Sequence, residues 1–140
     1  MKIYNSEVLN SYFIDAASNQ RKRAHYNLHS SYNDKVQRLF ITLVKGSYVE
    51  PHYHRLPHQW EMFIVINGTI KLTIYDPKTL GTQEYLIGDE SSDRVIELFP
   101  NDIHSIECIS DTALMLEIKE GPFDENSAKI PFVREGMSEE

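Results

Sequence analysis

With 140 residues, one cysteine, and 21 acidic against 14 basic side chains, the chain carries a formal net charge of -7. The length fits one domain that can bury a core without disulfides, and the lone Cys108, in the apolar run IHSIECI, reads as a small core residue in a protein of the reducing cytoplasm. The acidic balance argues against nucleic acid or an anionic membrane surface as partner, no apolar run approaches a bilayer span, and Met1 to Ser30 lack the apolar stretch of a secretory signal.

Residues 6–18, SEVLNSYFIDAAS, carry Val8, Leu9, Tyr12 and Phe13 at helical spacing, which predicts a short amphipathic helix with Ser6 as its N-cap. A polar, irregular stretch follows to about Lys35. Its basic cluster Arg21, Lys22 and Arg23 reads as a solvated segment, with a small anion site as the alternative. From residue 36 to about 120 the pattern changes to short β-rich runs separated by turn residues: RLFITLVKG, EMFIVI, TIKLTIYD, QEYLIG, RVIELF, HSIECI and ALMLEIK. That pattern predicts one all-β domain, a sandwich or barrel, and the lack of intervening helices excludes a βαβ architecture. The tail REGMSEE is polar and acidic and is expected to fray.

Asn67-Gly68 lies between two of these runs and is the strongest two-residue hairpin signal. A two-residue turn would pair Val65 with Ile70, Phe63 with Leu72 and Glu61 with Ile74, placing all six on one face. That face is the more apolar one and is expected to point inward, and it carries Glu61 in with it.

An inward carboxylate needs a cationic partner, a proton or a metal. The neighbouring sequence favours the metal. His52 and His54 share one side of a strand by the two-residue alternation, and His104 follows the turn Pro100-Asn101-Asp102-Ile103. His52, His54, Glu61 and His104 are therefore the candidate ligands of one divalent ion per chain: Zn, Fe, Mn or Ni. His58 is assigned to the loop between ligands. Asn27, His29, Gln37 and Arg38 are the candidate substrate-binding residues at the mouth. Arg38 suits a carboxylate or phosphate, and His29 suits acid–base work near neutrality.

The series Gly46-(x)5-His52-x-His54-(x)6-Glu61-(x)6-Gly68 resembles the first cupin motif, and Pro100 to His104 resembles the second. The loop between His54 and Glu61 is longer than usual in cupins, and Asn101 stands where the second motif has glycine. RKRAHYNLH, VQRLF, PHYH…WEMF and EIKEGPFD together resemble the WbuC-type cupin-fold metalloproteins, found with polysaccharide gene clusters. The resemblance implies an antiparallel jelly-roll barrel and a metal held by three His and one Glu. The expected function is action on a small polar metabolite, a sugar or sugar-nucleotide derivative, by isomerase- or epimerase-like chemistry. A non-catalytic ligand-binding or sensing module and an Fe(II)-dependent oxygenase are the alternatives. Open barrel edges also predict a homodimer.

Overall fold

The computed structural model describes residues 1–133; the acidic tail, Arg134 to Glu140, lies outside the described residues. Helix α1 (Ser6–Ser18) precedes β1 (Arg23–Asn27), β2 (Val36–Val44), β3 (Tyr48–Tyr53), β4 (Glu61–Asn67) and β5 (Thr69–Tyr75). Then come β6 (Thr82–Gly88), β7 (Val95–Leu98), β8 (Ile103–Cys108), β9 (Thr112–Glu120), a 3₁₀ turn (Glu125–Ser127) and β10 (Ile130–Pro131). The strands form two five-stranded antiparallel sheets, β1-β2-β9-β4-β7 and β10-β3-β8-β5-β6. Among the described residues no helix is long and apolar enough to cross a membrane.

The N-cap lies one residue earlier than predicted. Asn5 is the N-cap, and its Oδ1 accepts the Val8 N–H at 2.9 Å. Leu9, Tyr12, Phe13 and Ala16 face the protein, whereas Val8 lies on the exposed side. Tyr12 stacks on Tyr26 of β1, and its carbonyl accepts the Thr42 hydroxyl at 3.1 Å. This cover explains why β2 is buried on both faces from Leu39 to Leu43.

The core lies between the sheets and contains Leu43, Phe63, Val65, Ile70, Leu72 and Met115. Phe63 and Val65 come from one sheet, Ile70 and Leu72 from the other. The inward set expected from the sequence is thus present, with Ile74 only partly buried, but the hairpin is not. β4 pairs with β7 and β9, while β5 pairs with β6 and β8. At Asn67-Gly68 the chain steps from one sheet to the other. Gly68 takes φ +75°, and a Cβ there would meet the Thr112 carbonyl at 2.1 Å. Its N–H donates to Asp89 Oδ2 at 2.8 Å, so β6's end, not a facing strand, anchors the corner.

Cys108 is buried at 1 % exposure, as a core residue should be. β1 is a strand where the sequence read irregular chain. Its alternating side chains Arg23 and His25 line a cavity, not an apolar core.

Candidate metal centre

His52 lies near the end of β3 and pairs directly with His104 of β8; their rings are 4.4 Å apart. Glu61 opens β4 in the opposite sheet. His54 follows β3, and its carbonyl accepts the Asn101 N–H at 2.7 Å, joining the two donor-bearing loops. Asn101 adopts φ +74°, the left-handed conformation for which Asn substitutes best after glycine. Within the longer loop, Gln59 Oε1 accepts the Leu56 N–H at 2.9 Å, and its Nε2 donates to the Ser127 carbonyl at 2.7 Å.

One donor atom from each of His52, His54, Glu61 and His104 lies within 4.8 Å of the others. Each imidazole is held the same way. Nδ1–H of His52 donates to the Glu50 carbonyl at 2.8 Å, Nδ1–H of His104 to the Asp102 carbonyl at 2.8 Å, and Nδ1–H of His54 to the Ala128 carbonyl. A carbonyl can only accept, so Nδ1 carries the proton and Nε2 presents its lone pair. Backbone or carboxylate partners on the second ring nitrogen are the usual support for a metal-binding histidine.

His54 Nε2 stands 2.7 Å from Glu61 Oε1, and with the imidazole proton on Nδ1 both buried atoms are acceptors. Two facing acceptors are unfavourable unless a cation lies between or beside them. The donor set therefore fits a divalent ion.

Burial opposes ionisation of Glu61, but a hydrogen bond with Glu117 and the charges of His54 and His104 hold its carboxyl below the usual range. Burial and the Glu61 carboxylate push Glu117 well up. Burial pushes His52 down to about 4 and lowers His104. His54 is raised instead: burial acts to lower it, and the Glu61 carboxylate outweighs that effect.

The four donors sit in a cavity of about 490 Å³ with walls of Leu39, Ile41, Phe63, Ile106 and Met115. His58 lines it but stands outside the converging group. Asn27, His29, Gln37 and Arg38 do not line it, which corrects their expected position at the mouth. Leu39, Ile41 and Leu43 of β2 face the cavity, so alternation turns Arg38 outward. Asn27 is exposed at the end of β1. Gln37 is fully buried and donates to the Ser31 and Asp34 carbonyls at 3.1 and 2.8 Å, closing the loop before β2. His29 Nδ1 lies 2.9 Å from the Arg38 carbonyl.

The polar lining comes from elsewhere and carries both signs: Arg23, Lys119 and Lys129 with His25, and Glu117, Glu120 and Asp124. On β9 the apolar set Leu114, Leu116 and Ile118 alternates with Met115, Glu117 and Lys119, which suggests that the second set faces water. It faces the cavity instead. Glu117 is 5 % exposed and sits opposite Phe63, beside Glu61. The rule that apolar residues point inward misleads where a cavity needs polar walls.

No curated protein matches the sequence. Among solved structures, oxalate oxidase in complex with the substrate analogue glycolate matches at 12% identity and TM-score 0.61, over 81% of this chain and 57% of that one. The capsular polysaccharide assembling protein CapF from Staphylococcus aureus matches at 18% identity and TM-score 0.66, over 80% of this chain and 32% of that one. A cupin superfamily protein from Desulfitobacterium hafniense matches at 18% identity and TM-score 0.56, over 74% and 81%. This chain thus spans little over half of oxalate oxidase and about a third of CapF. At such identities the likeness in structure shows the fold alone, the jelly roll of cupins. The chain itself belongs to the family described as a domain of unknown function, DUF6016, whose model matches residues 4–87.

Proposed function

We propose that this protein is a metal-dependent cupin that acts on one small polar metabolite, a sugar or sugar-nucleotide derivative, with the ion held by His52, His54, Glu61 and His104. The observation that carries the reading is the common posture of the three imidazoles, each tied by Nδ1 to a carbonyl so that Nε2 faces the Glu61 carboxylate. Three neutral imidazoles and one carboxylate suit Zn, Fe, Mn or Ni. Such an ion would act as a Lewis acid toward a carbonyl or hydroxyl oxygen of the ligand.

The chain's own residues supply the rest. A cavity of about 490 Å³ suits a single metabolite, not a polymer. Glu117, protonated beside Glu61, lies on the cavity wall. Isomerisation or epimerisation next to a carbonyl needs a base to take the proton from that carbon and an acid to return one. His25, its pKa lowered to about 4 and so unprotonated near neutrality, faces the cavity as the base, and Glu117 as the acid. The sugar-type ligand draws on the WbuC-type resemblance and on the fold shared with a polysaccharide-assembling protein. The protein is proposed to work in the cytoplasm, consistent with the single buried thiol, and as a homodimer, for which the exposed Tyr85 and Leu86 on edge strand β6 offer apolar surface.

Metal-loaded protein incubated in D₂O with a panel of monosaccharides and sugar nucleotides tests the chemistry by NMR. Deuterium should enter at the carbon beside the carbonyl of one member, and Glu117→Gln should slow that exchange. Retention of a ligand without exchange would favour the binding module, and oxygen consumption with bound iron would favour the oxygenase.

A further inference from the structure

We infer that the cavity holds its ligand by an anionic group, a phosphate or a carboxylate, seated between Arg23 and Lys129. The inference rests on the metal-site reading for the other end of the same ligand, but on different residues.

Arg23 opens β1, an edge strand of one sheet, and Lys129 directly precedes β10, an edge strand of the other. Both line the cavity that contains the four converging donors. Arg23 Nη1 donates to the Tyr48 carbonyl of β3 at 3.2 Å, so the guanidinium reaches from the first sheet toward the second. That bond uses one of its five N–H donors. Lys119, also in the lining, is already engaged: its Nζ is 3.8 Å from Glu117 Oε2 and 4.8 Å from the centre of the Phe123 ring. Arg23 and Lys129 form no ion pair with any described residue. The Glu50 carboxylate acts on both and favours their charged forms, as Glu61 does for Lys129.

Arg23 and Lys129 line one cavity, whose wall also carries the carboxyl groups of Glu117, Glu120 and Asp124, and the two cations repel each other in a chain with net charge -7. They are a local feature, not part of a generally basic surface. Their field reaches His25, which opens onto the same cavity: burial lowers its pKa most, followed by Arg23, Lys119, Arg21 and Lys129. Burial and the charges of Arg23 and Arg21 likewise lower Lys129. A guanidinium fork and an ammonium in the lining of one cavity match the oxygens of a phosphate or carboxylate, the guanidinium by paired hydrogen bonds. The ligand would then be a polyol-type metabolite with an anionic end at Arg23 and Lys129 and an oxygen reaching the four-donor cluster.

The test is calorimetric titration of the full, metal-loaded chain with glycerol, glycerate and glycerol phosphate, which share a skeleton and differ in charge. Metal content is measured on the same samples. At least one anion should bind roughly tenfold or more tightly than glycerol, and Arg23→Ala and Lys129→Ala should each weaken it by about tenfold with metal content unchanged. Preference for glycerol phosphate identifies a phosphate, and preference for glycerate a carboxylate; either upholds the inference. Lys129→Ala leaves the Tyr48 contact intact, so it remains informative if Arg23→Ala misfolds. Binding of neither anion, equal binding of all three probes, or anion binding indifferent to both substitutions overturns it. Anion binding that depends on Arg23 in a wild-type chain that takes up no metal would sink the metal reading and leave this one standing. Full metal content with anion binding indifferent to Arg23 and Lys129 would do the reverse.

Discussion

His54 and Glu61, at the two ends of one loop, bring Nε2 and Oε1 to 2.7 Å in a buried pocket, two acceptors face to face while the neutral imidazole keeps its proton on Nδ1. The Ala128 carbonyl already occupies the Nδ1–H of His54. A second proton or a metal ion is therefore what relieves the contact. The raised pKa of His54, which the Glu61 carboxylate imposes against the effect of burial, is the same relationship seen from the proton's side.

The pH dependence of metal binding follows. His54 takes up a proton below its raised pKa, which lies above the ordinary imidazole value of 6.5, and the ion must displace that proton. Apparent affinity should fall about tenfold per pH unit as pH drops through neutrality toward 5. His52, pushed down to about 4, should add a second proton only in stronger acid. Competition titrations with a metal-sensitive dye between pH 5 and 8 measure the slope; a flat profile would mean that no ligand carries a displaceable proton.

The C-terminal strap should matter to the metal as much as the loop does. Gln59 ties the loop to the Ser127 carbonyl, and the neighbouring Ala128 carbonyl orients His54. Gln59→Ala is expected to weaken metal affinity by roughly tenfold while the circular dichroism spectrum is kept, as is usual when a residue supporting a ligand is lost. His58→Ala should leave affinity unchanged. Equal effects of the two substitutions would count against this ordering.

Gly68 is the position where local backbone decides the fold. With φ +75° and the Thr112 carbonyl 2.1 Å from any added Cβ, Gly68→Ala is expected to cost about 3 kcal/mol or more, or to give insoluble protein. Urea denaturation compares it with Asn67→Ala, which adds no such clash. A Gly68→Ala protein within about 0.5 kcal/mol of wild type would show that the corner relaxes freely.

Much of this architecture was legible in the sequence because alternation and turn chemistry are local. Period two together with an expected hairpin placed Glu61, Phe63, Val65, Ile70, Leu72 and Ile74 inward; all but the partly buried Ile74 are buried, although the hairpin itself is absent. Whether Asn67-Gly68 turns back within a sheet or crosses between sheets was not legible. Both solutions bury the same side chains, and only the distant strands β9 and β8 choose between them. The convergence of His52, His54, Glu61 and His104 in space agrees with their motif spacing. The mouth was misread because Arg38 attracted attention by its chemistry, while alternation with Leu39 and Ile41 turns it outward. Of the cations that do reach the cavity, Arg23 comes from a cluster whose sequence reads as a solvated segment.

Metal content by plasma mass spectrometry, on wild type and on His52→Ala, His54→Ala, Glu61→Ala and His104→Ala, tests the central claim most directly. Each protein is first stripped with chelator, then incubated with equal Zn, Mn, Fe(II) and Ni and desalted. Wild type should retain about one ion per chain, and each substitution should remove most of it, with a loss of roughly tenfold or more in affinity. A wild-type chain that retains no metal, or any one of the four variants that retains it in full, would contradict the account.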